Sequence, residues 1–544
     1  MRKLFKLLLL IIFLFIIKCS VPPQPVRIKE KVEPEIKIGV MSTATTLSFT
    51  LSKKCYIISH NGEFISRNID GSMWEARVVD AVPAKPVYVI VFASMSSLSN
   101  AQDLATVISQ KEYETVILPH RKNISANGKM IVKNRLYRVC LRKYFKDKQE
   151  AVKYQETFPE DLNSFIATKY LNSKGRIILK NLKTHQIFES TKSISIKGGE
   201  VTLHNVPVGV GYHWEEKVSN TYPETISFTI DREGKLVVIN LVPIETYLKG
   251  VVPSEMPDGF PLEALKAQAV AARSEALTKI GRAVHKDDPY DLCDQVHCQV
   301  YSGVSKRMPS TDRAVEETHG MVTQHNGQIC DAVYSAVCGG HTENSHYVWG
   351  GDYIDYLQGM YDSPEPLKKF GDLSKEDNVR EWIDAYPPVF CNTIEEWILP
   401  SMEYSKKYFR WEKKISQDLL SKVVSEYSGK NIGEIIDIIP LKRGVSGRIL
   451  LLKIVGIRDE LIINKELNIR KTLSPETLWS SCFYVRKIKE NNKGMPVEFI
   501  FKGAGFGHGV GMCQTGAAGL ALQGANFKQI LNHYYKNIKI KKLY

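Results

Sequence analysis

The sequence predicts an α+β protein, mostly strand, with one long central helix and a small βαβ–βαβ sandwich set into it. Three observations carry this. Short apolar runs separated by polar turns fill the chain from Ile36 to about Val82 and resume from Gly175. The stretch "PLEALKAQAVAARSEAL" departs from that pattern and reads as a long Ala-rich helix. Residues 86–157 read strand, helix, strand, and then strand and helix again.

The elements follow in order. "IKIGVM", "LSFTL" and "CYIIS" read as strands. In residues 86–157, "SNAQDLATVISQKEY" begins with a Ser/Asn cap and sets Leu104, Val107 and Ile108 on one helix face. "GRIILKNL", "SISIKGGEVTLHNV", "ETISFTI" and the run "KLVVINLVPIETYLKGVV" read as further strands. Pro261 sits where a helix begins, and Leu262, Leu265, Ala269, Ala272 and Ala276 trace one small-residue face after it. Residues 376–430 carry helical patterns, residues 434–500 return to strands, and "FKQILNHYYKN" closes the chain as a helix. No solenoid repeat is present.

The chain has 544 residues, room for two to four domains at roughly 100–200 residues each. Its net charge of +14 suits an acidic partner without selecting one. The N-terminus is more selective. Arg2, Lys3 and Lys6 precede an apolar run from Leu7 to Ile17, which makes a signal-peptide core and is too short to span a bilayer unaided. Cys19 follows in the position of a lipoprotein cysteine, although Lys18 stands where a small residue is usual. Lipid anchoring, cleavage and an uncleaved anchor all fit residues 1–19. Residues 20–35, rich in Pro and charge, read as a linker. Export makes nucleic acid an improbable partner. The ten cysteines are scattered, which excludes a small disulfide scaffold.

Three stretches carry chemistry. In "VVPSEMPDGFPLEAL", Glu255 lies at the end of an apolar run and ahead of the helix, whereas a simple capping acid would sit nearer the helix start, at Asp258 or Glu263. In "FKGAGFGHGVGMCQTGAAG", glycines alternate around His508, with Gln514 after it. Such backbones adopt positive φ and approach ligands closely. A nucleotide-binding reading fails, because no βαβ unit with a downstream acid follows. In "DAVYSAVCGGHTENSHYVWGG", Ser335, Cys338 and His341 crowd a Gly-Gly turn; a Cys–His protease is a weak reading, since nothing nearby activates the thiol. A fourth stretch, "HKDDPYDLCDQVHCQVY", offers His285, Cys293, His297 and Cys298. Two nitrogens and two sulfurs suit a closed, structural zinc site. A Cys293–Cys298 disulfide and unpaired thiols are the alternatives, and adjacent His297 and Cys298 must point differently.

"YLKGVVPSEMPDGFPLEALKAQAVAARSEAL", "YSAVCGGHTENSHYVWGG" and "GAGFGHGVGMCQTGAAG" together resemble the signature of the sporulation stage II protein D (SpoIID/LytB) family. Cys338 and Cys513 stand where Ser is usual, His341 where Tyr is usual, Phe260 for Trp, and Ser274–Glu275 for Thr–Tyr. The resemblance covers residues 36–82 and about 160–544. Between them, residues 86–157 resemble a SPOR domain, a module that binds glycan strands stripped of peptides.

The SpoIID/LytB resemblance implies a peptidoglycan lytic transglycosylase with Glu255 as its acid. Glycoside hydrolases use two carboxylates. A lytic transglycosylase uses the sugar's own C6 hydroxyl as nucleophile, so one carboxyl group serves as acid and then base, leaving a 1,6-anhydro end. Burial would raise the pKa of Glu255 towards that task. His508, Gln514, Ser335 and His341 are then the expected sugar contacts. Some family members bind zinc through a Cys/His cluster in the region of residues 285–298. The implied setting is the outside of the membrane, facing the wall, after an N-acetylmuramoyl-L-alanine amidase has acted, in division or other wall remodelling. A non-catalytic glycan-binding amidase enhancer is the alternative. A metal-dependent hydrolase is disfavoured, because four-ligand Cys/His sets are structural.

Overall fold

The computed structural model describes residues 33–544, except 53–54, 68–70, 121–122, 127, 134, 160, 213, 395–397 and 491–493. The expected leader, Cys19 and nearly all of the expected linker fall in residues 1–32, outside the described residues. Among those described, no helix is long and apolar enough to cross a membrane.

The molecule is α+β, with more strand than helix. Its first half is built on two sheets. One orders the strands Leu292–Cys293, Glu35–Thr43, Leu236–Pro243, Thr225–Ile230, Ile194–Lys197, Tyr56–Ser59 and Phe64–Arg67. The other orders Ile187–Ser190, Lys174–Asn181, Met73–Val82, Leu47–Leu51, Val201–Val208 and Glu216–Tyr222. Alternation explains the pairing of layers. In Leu47–Leu51 the apolar residues are buried and the hydroxyl residues between them are half-buried. Phe49 of one sheet meets Phe228 of the other with ring centroids 5.1 Å apart, a separation at which tilted aromatic rings attract.

The inserted unit leaves the second sheet after Met73–Val82 and returns at Lys174–Asn181. These two strands pair antiparallel, with Lys174 opposite Val82, so its entry and exit lie side by side. Its own sheet runs Phe165–Tyr170, Pro86–Met95, Leu136–Phe145, Thr115–His120, all neighbours antiparallel. The helices Leu98–Ser109 and Lys148–Gln155 complete it. The Ser97 side chain caps the first of them. Val107 does not belong to the buried face as expected; it is exposed, and Ala101, Leu104, Ala105 and Ile108 form the face that packs.

The run "KLVVINLVPIETYLKGVV" corrects a second expectation. It is strand only to Pro243 and then becomes the helix Ile244–Glu255. Seven of that helix's residues are buried, Tyr247, Leu248, Val251 and Val252 among them. Its apolar residues Ile244, Tyr247, Leu248, Val251 and Val252 do keep helical spacing, but they follow the strand without a break and Pro253 stands inside the helix, so the run looks like strand. Glu255 is therefore the last residue of a helix and not the end of a strand.

The long helix, Leu262–Arg282, is buried almost all round, not on a single face. The helices Ile244–Glu255, Pro309–Glu317, Gln514–Leu522 and Phe527–Tyr534 and the strand Met321–His325 surround it. Its alanines let these neighbours approach closely. The chain ends not in a helix but in a strand, Lys539–Lys542, paired with Met321–His325. The region 410–504 folds around a separate core that includes Trp411, Leu420, Ile454 and Phe501.

One ion pair fixes the helix that carries Glu255. Arg273 of the long helix donates from Nε and Nη2 to both oxygens of Glu245, at 2.8 and 2.6 Å. The Tyr544 hydroxyl (2.7 Å) and the Gly320 N–H (3.1 Å) donate to Glu245 Oε1. Burial alone would raise the Glu245 pKa, but the Arg273 charge and these hydrogen bonds outweigh it and hold it below its usual value. Arg273→Met would leave a buried carboxylate unpaired and is expected to cost about 3–5 kcal/mol. Lys422→Ala, at an exposed pair with Glu426, should change stability by under about 0.5 kcal/mol. Urea unfolding at pH 7 measures both, and equal effects would show that the buried pair contributes little.

Candidate functional site

Glu255 ends its helix with its carboxyl facing three other segments. The Val300 N–H donates to Oε1 at 2.8 Å, and the Gln514 amide hydrogen-bonds the same carboxyl. Gln514 Nε2 also reaches Gln268 Oε1 on the long helix at 3.4 Å. Glu255 keeps part of its surface open, yet the protein around it desolvates the carboxyl. Burial pushes its pKa up to about 7, and nearby Glu275 adds to the rise against the pull of the Val300 N–H, Lys279 and Gln514. Its place at a helix C-terminus works in the same direction, since the dipole there opposes negative charge.

A polar network that the motifs did not single out lies behind this carboxyl. Gln299 Nε2 donates to the Tyr334 hydroxyl (3.0 Å) and to Glu275 Oε2 (2.9 Å), while Tyr247 donates to Gln299 Oε1 (3.0 Å). Glu275 Oε1 pairs with Lys279 at 2.8 Å, and Lys279 also donates to the carbonyls of His297 and Cys298. Both Glu275 oxygens are thus engaged. The sequence offers one hint of this, the Glu at a position where Tyr is usual. Gln299, Tyr334 and Lys279 carry no local signal, because only the fold brings them together.

The other expected contacts differ in their surroundings. In the glycine loop, Gly509 has φ +75° and a Cβ there would come within 2.2 Å of Arg448 Cζ; at Gly511, φ +71°, it would meet Val333 O at 2.1 Å. This close packing holds His508, whose Nδ1 accepts from the Val510 N–H at 3.0 Å and whose ring lies 5.0 Å from that of Trp349. Burial, with repulsion from Arg448, pushes the His508 pKa down to about 3, so the ring is neutral. Ser335 is buried on the strand Tyr334–Ser335, which pairs in parallel with Met512–Cys513, and its Oγ has no protein partner among the described residues. His341 is buried, 8 % exposed, with its Nδ1 at 2.7 Å from the Thr342 carbonyl and its ring against Tyr361. The ring packs the turn, and Cys338 Sγ hydrogen-bonds with Asp362 and Cys391.

His285, Cys293, His297 and Cys298 converge, each offering one donor atom within 4.8 Å of the others. His285 Nε2 is 3.3 Å and His297 Nδ1 3.5 Å from Cys298 Sγ, and His297 Nδ1 is 3.7 Å from Cys293 Sγ. Tetrahedral bonds of about 2.0–2.3 Å put neighbouring donors about 3.3–3.8 Å apart, so these residues fit such an ion. Asp288 Oδ2 lies 2.8 Å from His285 Nδ1, which turns Nε2 inward. Adjacent His297 and Cys298 both reach the centre.

Residues 232–325 match the family described as Stage II sporulation protein, and residues 343–511 match a domain of unknown function (DUF8618). An uncharacterised protein of Brachyspira hyodysenteriae is 32% identical over 306 residues, which cover 56% of this chain and 68% of that protein. The amidase enhancer of Bacillus subtilis is 33% identical over 306 residues, 53% of this chain and 39% of the relative, well short of that protein's full length. Stage II sporulation protein D of the same organism is 26% identical over 62% of this chain and 88% of its own. The chain belongs to the SpoIID/LytB family. Membership ties it to the cell wall. The family segment 232–325 contains Glu255, its helix, the long helix and the Cys/His cluster.

The shifted carboxyl predicts a pH-dependent stability difference. A pKa raised from 4.5 to about 7 makes ionisation uphill in the folded protein. The penalty is absent below the unfolded pKa, grows as pH rises through the folded one, and is full above it. Glu255→Gln removes it. Relative to wild type, the variant should be equally stable at pH 4 and more stable at pH 8 by about 1–3 kcal/mol. A pH-independent difference in urea unfolding would mean that the carboxyl titrates normally.

Proposed function

We propose that this protein is a lytic transglycosylase that cuts peptidoglycan glycan strands between MurNAc and GlcNAc, with Glu255 as its single acid and base. The observation that carries this reading is a lone carboxyl of pKa about 7 held by one backbone N–H and one amide. Protonated, it gives its proton to the glycosidic oxygen as the C1–O bond breaks. The C6 hydroxyl oxygen then bonds C1 and returns its proton to the carboxylate, leaving the 1,6-anhydro end and the acid restored. A hydrolase would need a second free carboxylate to activate water. Glu275 is close enough to perturb Glu255, but both its oxygens are occupied by Lys279 and Gln299.

Sugar recognition is assigned to the surface around the glycine loop. Trp349, 47% exposed beside His508, offers an aromatic platform with a polar edge. Gln514 and Ser335 supply hydrogen bonds, and His508 shapes the loop. Zinc at His285, Cys293, His297 and Cys298 is structural, since four protein ligands leave no position for water. It would fix the segment whose Val300 N–H meets Glu255.

The inserted unit is the SPOR-like glycan-binding module. On its sheet face away from the helices, Tyr144 and Phe165 are exposed, with Lys169 over one ring at 5.1 Å and Arg138 over the other at 5.8 Å. Such a face suits a sugar polymer. The protein acts outside the membrane, tethered by its N-terminus, on strands that an amidase has stripped.

A second reading, glycan binding without cutting, draws on the relative named amidase enhancer. Amidase-stripped strands incubated with the protein separate the two. Anhydro-ended fragments that disappear in Glu255→Gln support cutting. Reducing-ended fragments mean hydrolysis, and intact strands that co-sediment with the protein support the binder. Cutting should fall as pH rises through about 7, because the first step needs the protonated carboxyl. Glu275→Gln removes a neighbouring charge and should move that limb to lower pH. Tyr144→Ala with Phe165→Ala should weaken co-sedimentation and leave the cutting of short soluble strands unchanged.

A further inference from the structure

Cys338 and Cys513, the two cysteines at positions where serine is usual, come together. Parallel pairing of Tyr334–Ser335 with Met512–Cys513 brings the Gly-Gly turn alongside Cys513, and the segments around Asp362 and Cys391 join them. Cys338, Asp362, Cys391 and Cys513 each present one donor atom, all four within 4.8 Å of one another. Cys338 Sγ lies 3.5 Å from Cys391 Sγ and 3.3 Å from Asp362 Oδ2. All four residues are almost completely buried.

A tyrosine hydroxyl and a histidine serve the carboxylate of this cluster. Asp362 accepts from the Tyr534 hydroxyl at 2.7 Å through Oδ1, with His533 Nε2 at 3.7 Å from the same oxygen. No Lys or Arg pairs with it among the described residues. Its Oδ2 faces the thiols. The sulfurs, in turn, receive backbone N–H groups as thiolates do: Cys338 N–H and Gly516 N–H donate to Cys513 Sγ at 3.1 and 3.3 Å, and Gly340 N–H to Cys338 Sγ at 3.4 Å. Two guanidinium groups stand beside the turn, Arg410 on the Gly339 carbonyl and Arg448 on the Cys338 carbonyl, both at 3.1 Å. They offset the negative charge that three thiolates and a carboxylate would leave around a dication.

The geometry points to a second metal site, in which Cys338, Asp362, Cys391 and Cys513 hold one tetrahedral divalent ion of the zinc class. Bonds of about 2.3 Å to sulfur and 2.0–2.2 Å to oxygen separate neighbouring donors by about 3.4–3.8 Å, close to the spacing seen. Soft thiolates select such an ion over magnesium or calcium. A disulfide between any two of the cysteines would bring two sulfurs to about 2.05 Å, well inside the Cys338–Cys391 separation of 3.5 Å. The set is closed, so the ion is structural. It joins the Gly-Gly turn, the 362 and 391 segments and the residue next to Gln514, and it stands whether or not Glu255 cuts glycan.

The test is the zinc content of the full chain, purified in zinc-containing buffer and measured by mass spectrometry of the metal. Wild type should carry two ions per chain, Cys293→Ser one and Cys391→Ser one. A Cys293→Ser, Cys298→Ser chain loaded with cobalt should retain strong thiolate-to-cobalt absorption, which a chain holding only a nitrogen- and oxygen-bound ion would lack. If Cys391→Ser fails to fold, that cobalt spectrum decides. One ion in wild type that vanishes in Cys293→Ser would overturn the proposal. So would an intact mass short by two hydrogens, with a peptide pair linking two of Cys338, Cys391 and Cys513.

Discussion

The bidentate pair between Glu245 and Arg273 is the constraint on which the rest of the site depends. It joins the helix that ends at Glu255 to the long helix, and Tyr544 and Gly320 bring the last strand and its partner into the same contact. What the pair supplies is direction, since a planar guanidinium accepts a carboxylate in few orientations. The short helix therefore meets its neighbours at one angle, and its final residue points at one place.

At that place the surroundings decide the chemistry. A glutamate in water is ionised at neutral pH. Glu255 is desolvated, ends a helix at its negative pole and has Glu275 as a neighbour, and all three disfavour the charge. The Val300 N–H and the Gln514 amide keep the shift moderate. A group balanced in this way can give and take a proton near neutrality.

The two segments that touch Glu255 each adjoin a cluster of potential metal ligands. Cys298 lies two residues before Val300, and Cys513 directly precedes Gln514. Loops rich in glycine and without long helices have little to hold them at sub-ångström precision. Clusters at their roots would restrain them without reaching the substrate. Insertion follows a similar logic on a larger scale: the glycan-module candidate enters and leaves between paired strands, Val82 opposite Lys174, so the sheet register is undisturbed.

Much of this was legible in the sequence. The strand-rich α+β class, the helix after Pro261, the four-ligand Cys/His set and the prominence of Glu255 were all written in local pattern, because alternation, capping chemistry and donor spacing act over a few residues. The helix Ile244–Glu255 was not, since its helically spaced apolar residues follow the strand Leu236–Pro243 without a break and Pro253 argues against a helix. Nor were Gln299, Tyr334 and the pairing of Glu275 with Lys279, or the meeting of Cys338 with Asp362, Cys391 and Cys513. The sequence by itself determined which groups were available for proton transfer and metal binding. Only the tertiary structure decided which of them face one another and how far Glu255 is desolvated, because pKa and coordination depend on distances between residues that lie far apart along the chain.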